Sequence, residues 1–86
     1  MTIPTPFNAF EVISKSDTVD LPKFAATGRL TDAVLVGGAG IVVAVLQDNT
    51  TVTITGVIAG AILPIAIRRV NSTTTSATNM VALYAI

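Results

Sequence analysis

The chain has 86 residues, with five basic and five acidic side chains, no His and no Cys, and its formal net charge is zero. Without His or Cys, neither a Ser-His or Cys-His nucleophile nor a Cys/His zinc site can form within the chain. The basic side chains form no cluster, which argues against a nucleic-acid-binding surface. We therefore expect a protein without enzyme activity, cofactor, metal or nucleic-acid partner.

Hydrophobic side chains are more numerous than one small fold can cover. They make up 51% of the chain and charged side chains only 12%, whereas average proteins carry about 25% charged residues. A domain of this size buries little more than about 60% of the surface that its unfolded chain exposes. Either a membrane or other protein chains must cover the remainder.

A membrane-spanning hairpin is one explanation, because Asp48 is the only charged residue from position 33 to position 67. The first apolar run, residues 33–46, has 14 residues and is interrupted by glycines, whereas a spanning helix needs about 20 apolar residues. The second run opens with residues 51–55, in which threonines alternate with apolar residues as in a half-exposed strand. We therefore expect no membrane partner. We expect instead that other copies of the chain cover the remaining hydrophobic side chains.

The composition favours strands, since Val, Ile and Thr account for 33 of the 86 residues. Pro4 and Pro6 predict an extended N-terminal arm. We therefore divide the chain into residues 1–13, which contain this arm and a first strand, and residues 14–86, which form a single β domain. Further strands are predicted at residues 33–36, 41–46, 51–55, 61–70 and 80–86. About six to eight short strands predict a small antiparallel β-sandwich or barrel.

Glycine, proline and short polar residues predict the connections. Gly37 and Gly38 predict a hairpin turn with positive backbone φ, and Asp48 with the following Asn predicts the next turn. Pro64 predicts that residues 61–70 form an edge strand or a bulged strand, because it lacks the N–H that a sheet interior needs. Residues 23–31 have mixed character and are expected to contain another turn at Gly28.

Two of the predicted strands, residues 41–46 and 80–86, are apolar on both faces. In a two-layer domain one face of a strand meets the core, so the other face predicts a contact between subunits. Arg68 and Arg69 are expected on opposite faces, one in solvent and the other paired with Asp20, Asp32 or a neighbouring chain. Asp17 and Asp20 are interpreted as cap and turn residues, because no third metal ligand accompanies them. The candidate interface residues are Phe7, Phe10, Asp20, Val42, Leu46, Arg69 and Tyr84.

Six short segments, taken with their order and spacing, can be compared with known protein families. They are Asp-Thr-Val-Asp-Leu-Pro at 17–22, Leu-Val-Gly-Gly-Ala-Gly at 35–40, Thr-Val-Thr-Ile-Thr-Gly-Val at 51–57, Ala-Gly-Ala-Ile-Leu-Pro-Ile at 59–65, Arg-Val at 69–70 and Met-Val-Ala-Leu-Tyr at 80–84. Together they resemble a family of small phage virion proteins that includes the spike-base protein of gene transfer agents. The resemblance covers roughly residues 14–86 and leaves out the first 13.

The resemblance implies a virion structural protein on the outside of a tailed-phage-type capsid, either a spike base at the vertices or a decorating layer that cements the shell. Its implied partners are the major capsid protein and a fibre protein. We expect a homo-oligomer, a trimer or a pentamer, that is made in the host cytoplasm and incorporated into the virion.

Two other functions remain open at this point. A small β-rich module could bind carbohydrate or another protein, and such sites use exposed aromatic platforms, for which the chain offers Phe7, Phe10, Phe24 and Tyr84. A small integral membrane protein is the third hypothesis. It predicts helices, whereas the first two predict strands.

Overall fold

The computed structural model describes residue 7 and residues 9–85, and the rest of the predicted arm, residues 1–6 and 8, lies outside the described residues. The elements in chain order are β1 (Ala9–Val12), α1 (Pro22–Thr27), β2 (Ala33–Gly38), β3 (Gly40–Val45), β4 (Thr51–Val57), β5 (Ala61–Leu63), β6 (Arg69–Val70) and β7 (Thr78–Tyr84).

Within the described residues, the seven strands form two antiparallel sheets that do not close into a barrel. Sheet A has the strand order β1-β7-β2-β5, and sheet B has the order β4-β3-β6. Leu35 in the interior of sheet A lies opposite both Val81 and Ile62. The predicted small all-β fold is confirmed, and of the two architectures considered it is the open sandwich.

The core lies between the sheets and follows the alternation of the strands. Its fully buried members are Val34, Val36, Ala82 and Tyr84 from sheet A, Val42, Ala44 and Val70 from sheet B, and Ile67 and Ala77 from the connections. Burial of an aliphatic or aromatic side chain of this kind contributes about 1.5–3 kcal/mol. In β4, Val52 and Ile54 pack against this core while the threonines are exposed, which confirms the half-exposed strand.

The predicted hairpin at Gly37 and Gly38 is wrong, because the chain passes here from one sheet to the other. β2 pairs with β5 and β7, whereas β3 pairs with β4 and β6. Neither glycine has a positive φ. Gly37 serves a different purpose, since a Cβ there would lie 2.7 Å from the carbonyl oxygen of Asn79 in β7, well inside the usual contact distance of about 3.5 Å.

Helix α1 is not among the elements predicted from the sequence. Pro22 stands in its first turn, and Gly28 closes it with φ of 76° and an N–H that donates to the Phe24 carbonyl at 2.7 Å. Proline at the start and glycine after the end are a helix signature. The turn expected at Gly28 is therefore the C-terminal cap of a helix of six residues, which is too short to show an apolar period.

The connections on either side of β4 and β5 follow the turn chemistry of the sequence. Asn49 has φ of 68°, and Asp48 accepts a hydrogen bond from the N–H of Thr50 at 3.0 Å, so the predicted turn is confirmed. β5 is an edge strand, as Pro64 predicts. The predicted strand over residues 61–70 is nevertheless two strands, because β5 ends at Leu63 and β6 lies in the other sheet.

The long apolar region from residue 33 to residue 67 contains strands β2 to β5. Sheet thus takes the place of the helical hairpin that the membrane hypothesis requires. Among residue 7 and residues 9–85, no helix has both the length and the apolar character needed to cross a membrane.

Candidate interaction surface

The side of sheet A that faces away from the core is apolar, and we call it the outer face. Its side chains alternate along each strand with the core residues. They are Phe10 and Val12 in β1, Val81 and Leu83 in β7, Ala33 and Leu35 in β2, and Ile62 in β5. The other outward positions of the same strands are Gly37 and Asn79, so the face carries no charge.

Exposure is greatest at the two edges of the outer face. Phe10 and Val12 are 71% and 75% exposed, and Ile62 is 54% exposed, whereas the central strands contribute half-buried or buried side chains. Exposed apolar side chains grouped on one face of a sheet mark an interaction site. Phe10 is among the predicted interface residues, whereas Val12 and Ile62 are not, although the alternation of residues 9–12 could have indicated Val12.

A groove of about 200 Å³ lies beside the β1 edge of the outer face. It is lined by Val12, Ser14, Ser16, Val19, Asp20, Leu21 and Pro22. The N–H of Ser16 donates to the Val70 carbonyl at 2.9 Å, and the N–H of Leu21 donates to the Arg68 carbonyl at 2.8 Å. These bonds hold residues 14–22, the wall of the groove, against the free side of β6.

Asp20 is the centre of a charged cluster at the wall of this groove. Arg68 donates from Nε to Oδ1 at 3.1 Å and from Nη2 to Oδ2 at 2.8 Å, and Arg69 donates from Nη1 to Oδ1 at 3.0 Å. The guanidinium of Arg68 also lies over the ring of Phe24, 4.5 Å from its centre. The hydrogen bonds from Arg68, with the positive charges of both arginines, lower the pKa of Asp20.

The prediction that Arg68 and Arg69 diverge is therefore wrong. Arg68 precedes β6 rather than belonging to it, so the alternation of a strand does not separate the two side chains. The structure brings together Asp20 and Arg69, two of the predicted interface residues, and both side chains are 18% exposed. Asp20 thus pairs with two arginines of its own subunit, and the cluster keeps one net positive charge.

Asp17 fastens the loop over residues 71–77 to the segment that follows β1. Its carboxylate accepts hydrogen bonds from both the N–H and the hydroxyl of Thr73, and these bonds lower the pKa of Asp17. The prediction that Asp17 caps a turn in its own segment is wrong, because the N–H groups of Thr18 and Val19 donate instead to the Ser16 hydroxyl at 3.2 Å and 3.0 Å. In the described part of the chain, no three acidic, His or Cys side chains are grouped as metal ligands would be.

The structure corrects the interface assignment of Val42 and Tyr84, because neither side chain has exposed surface. Val42 lies in β3, the middle strand of sheet B. Val43 and Val45, which point to the opposite side of β3, are buried as well. The apolar second face of this strand is thus covered within the subunit and needs no neighbour.

The remaining predicted residues have partly exposed side chains. Leu46 is half-buried and lines a shallow hollow of about 460 Å³ together with Leu30 and Ile65. Phe7 is also half-buried. Of the seven predicted residues, Phe10 lies on the outer face, which makes it the one that shares a surface with Val12 and Ile62.

Tyr84 is held inside the fold by its ring and by its hydroxyl. The hydroxyl donates to the Glu11 carboxylate at 3.2 Å, and Lys23 and Arg29 lie over the ring, 5.5 Å and 5.8 Å from its centre. Burial, together with the negative charge of Glu11, raises the pKa of Tyr84 to about 12. A buried ring cannot serve as a platform for a sugar, so Tyr84 is removed from the four aromatic candidates of the carbohydrate hypothesis.

The fold occurs in a known capsid. A chain of the structure "Capsid of native GTA particle computed with C5 symmetry" matches with a TM-score of 0.77 and 36% sequence identity, over 91% of this chain and 83% of that chain. The protein belongs to the family of this gene-transfer-agent capsid component. No family model matches the sequence, and no curated protein matches it.

Family membership confirms the coarser part of the resemblance, a protein related to phage and gene-transfer-agent capsids. Because 91% of the chain takes part in the match, the shared structure extends over both sheets of this capsid-family protein. Its outer face, groove and charged cluster therefore lie on a fold that is used in a capsid.

Proposed function

We propose that this protein is a structural component of a phage-type virion, bound to the outside of the capsid as a homo-oligomer. The observation that carries the proposal is the outer face, an uncharged apolar surface across all four strands of sheet A in a relative of a capsid component. Removing such apolar surface from water is favourable and drives the association of proteins. Neighbouring copies and the shell itself provide that cover.

The mechanism of such a protein is adhesion. As a spike base at a vertex or as a cement layer, the oligomer binds the major capsid protein on one side and anchors a fibre on the other. Each copy makes few contacts, but several copies in one oligomer bind the repeating shell at once. The affinity of the oligomer therefore exceeds that of a single subunit.

The test uses the purified chain and capsids isolated without it. Light scattering at micromolar concentration gives the oligomeric state, and co-sedimentation with the capsids measures binding to the shell. We expect an oligomer that sediments with capsids, and extra density outside the shell in images of the assembled particle. A monomer that stays in the supernatant would contradict the proposal.

A matched pair of variants tests the outer face itself. Phe10→Asp introduces a charge on this face at a position that is 71% exposed, so the fold tolerates it. Thr53→Asp introduces the same charge on the exposed side of β4. We expect Phe10→Asp alone to weaken self-association or capsid binding. If the two variants associate and bind capsids equally well, the outer face does not take part in either contact.

A further inference from the structure

The two edges of the outer face differ in shape. At the β1 edge lies the groove, with Val12 and Val19 in its lining. At the opposite edge, formed by β5, Ile58 and Ile62 are 70% and 54% exposed. Ile58 belongs to the tight turn before β5, in which the N–H of Ala61 donates to the Ile58 carbonyl at 3.2 Å. One side of the subunit is thus an apolar hollow, and the other carries two protruding isoleucines.

We propose that the β5 edge of one copy docks into the β1-edge groove of the next, so that subunits associate head to tail. The inference rests on the homo-oligomer of the proposed function and names the surfaces that form it. When two copies dock in this way, one keeps a free docking edge and the other keeps a free groove, so further copies can add at both ends. The contact produces a closed ring when the rotation between subunits divides a full turn.

The groove has the size and the lining that a branched aliphatic side chain requires. A cavity of about 150 Å³ accepts an apolar group as large as benzene, and the groove measures about 200 Å³. Its apolar lining residues are Val12, Val19, Leu21 and Pro22. Its charged lining residue, Asp20, is already held by Arg68 and Arg69 of the same subunit. An isoleucine can therefore enter without leaving this carboxylate unpaired.

The charges of the subunit favour a second copy over a charged partner. All ten charged side chains lie within residues 9–85, and each has a hydrogen-bonding, ionic or aromatic partner inside its own subunit. Arg29, Arg68 and Arg69 are ion-paired with Asp32 or Asp20. Among the described residues this leaves Lys15 and Lys23 as the cations without an acidic partner, which are too few to form a basic surface that selects a nucleic acid or an anionic lipid. The partner is recognised by apolar shape, which the β5 edge of the same chain supplies.

The backbone at the two edges supports the same contact. β1 and β5 are the edge strands of sheet A, so each presents N–H and C=O groups that the sheet does not pair. Neighbouring strands of sheet A are antiparallel, so β1 and β5 run in opposite directions. A β5 strand that continues the sheet beyond β1 of the next copy is therefore antiparallel to it. The strands have four and three residues, so few bonds form, and the isoleucines supply the specificity.

The experiment asks whether two damaged edges complement each other. Val12→Glu places a charge in the groove, and Ile62→Glu places one on the docking edge. Both positions are exposed, at 75% and 54%, so both variants keep the β circular dichroism spectrum. By light scattering, each variant alone should associate at least tenfold more weakly than the wild type.

The mixture of the two variants gives the decisive result. One variant is isotopically labelled, and native mass spectrometry counts the species in an equimolar mixture. We expect heterodimers, because Ile62 of the Val12→Glu chain can still enter the intact groove of the Ile62→Glu chain. Thr53→Glu, which charges the exposed side of β4, is the matched control and should associate like the wild type.

The remaining outcomes separate this contact from the proposed function. If each variant alone fails to associate and their mixture also stays monomeric, the outer faces of two copies pack face to face. The head-to-tail contact would then be wrong. A wild-type oligomer that both single variants retain overturns the contact and leaves the proposed function standing. A monomeric wild type overturns both.

Discussion

Asp20 and Arg68, which are 48 residues apart in sequence, form a two-point ion pair with N–O distances of 3.1 Å and 2.8 Å. The pair joins the wall of the groove to the start of β6. The two side chains are only 18% and 21% exposed. A bidentate pair with this much shelter contributes more than an ordinary surface ion pair, which is worth about 1 kcal/mol at most.

Asp20→Asn should weaken this corner of the molecule, because both arginines lose the anion that they share. We expect the free energy of unfolding to fall by about 1–2 kcal/mol, which lowers the melting temperature by about 4–8 °C for each kcal/mol. Thermal unfolding followed by circular dichroism measures the change. The control is Asp48→Asn in an exposed turn, where asparagine is equally suited. An Asp20→Asn variant as stable as this control would show that the shared charge contributes no stability.

Acid should destabilise the fold through Asp17 and Asp20. Hydrogen bonds hold the pKa of each carboxyl below its ordinary value of 3.8. The unfolded chain therefore binds these protons more strongly, so the stabilisation is present above pH 3.8 and is lost as the pH falls through the folded pKa values. Urea unfolding at a series of pH values measures the loss. In the double variant Asp17→Asn, Asp20→Asn the free energy of unfolding should fall less steeply below pH 3.8. If it falls as steeply as in the wild type, other carboxylates cause the acid destabilisation.

Sequence patterns predicted those elements whose cause is local. The alternation of residues 51–55 and the missing N–H of Pro64 identify a half-exposed strand and an edge strand, and the fold contains both. The hydrophobic run over residues 41–46 predicted a strand as well. It could not reveal that both faces of this strand are buried inside one subunit, because packing between distant segments decides that.

The candidate surface shows the same limit. In β7, both Leu83 and Tyr84 are apolar, so the pattern alone does not say which of them faces the core. Glu11 on the inner side of β1 makes the distinction harder, because it accepts a hydrogen bond from Tyr84. The sequence therefore predicted that β7 has two apolar faces but assigned the wrong residue to the interface.

Gly37→Ala should destabilise the protein by about 1–3 kcal/mol, the usual cost of overpacking. The added Cβ would lie 2.7 Å from the carbonyl oxygen and 2.9 Å from the Cβ of Asn79. The backbone of β7 cannot move away without weakening its pairing with β2. Urea midpoints measure the effect, and Ala39→Ser at an exposed position two residues away is the control. If both variants unfold at the same urea concentration, the two strands are less closely packed than the structure shows.

Tyr84 should titrate at unusually high pH. It is the only tyrosine, so phenolate absorbance reports on it alone, and we expect a midpoint pKa of about 12 in the folded protein against 10.0 in urea. Because the folded state holds the proton more strongly, its contribution to stability is present below pH 10.0 and is lost as the pH rises towards 12. Tyr84→Phe should lack this alkaline loss. A folded-state midpoint near 10.0 would mean that solvent reaches the hydroxyl.

The hydroxyl of Thr31 binds the segment that connects β5 in sheet A to β6 in sheet B. Its Oγ1 donates to the Ile65 carbonyl at 2.8 Å and accepts from the N–H of Ile67 at 3.0 Å, and the residue is 2% exposed. Thr31→Val keeps the shape but leaves both backbone groups without this partner, so we expect a loss of about 1–3 kcal/mol in urea unfolding. Thr31→Ser keeps the hydroxyl and removes one methyl group, worth about 0.8 kcal/mol. A serine variant that is less stable than the valine variant would show that packing of the methyl group, rather than hydrogen bonding, is the reason for threonine at this position.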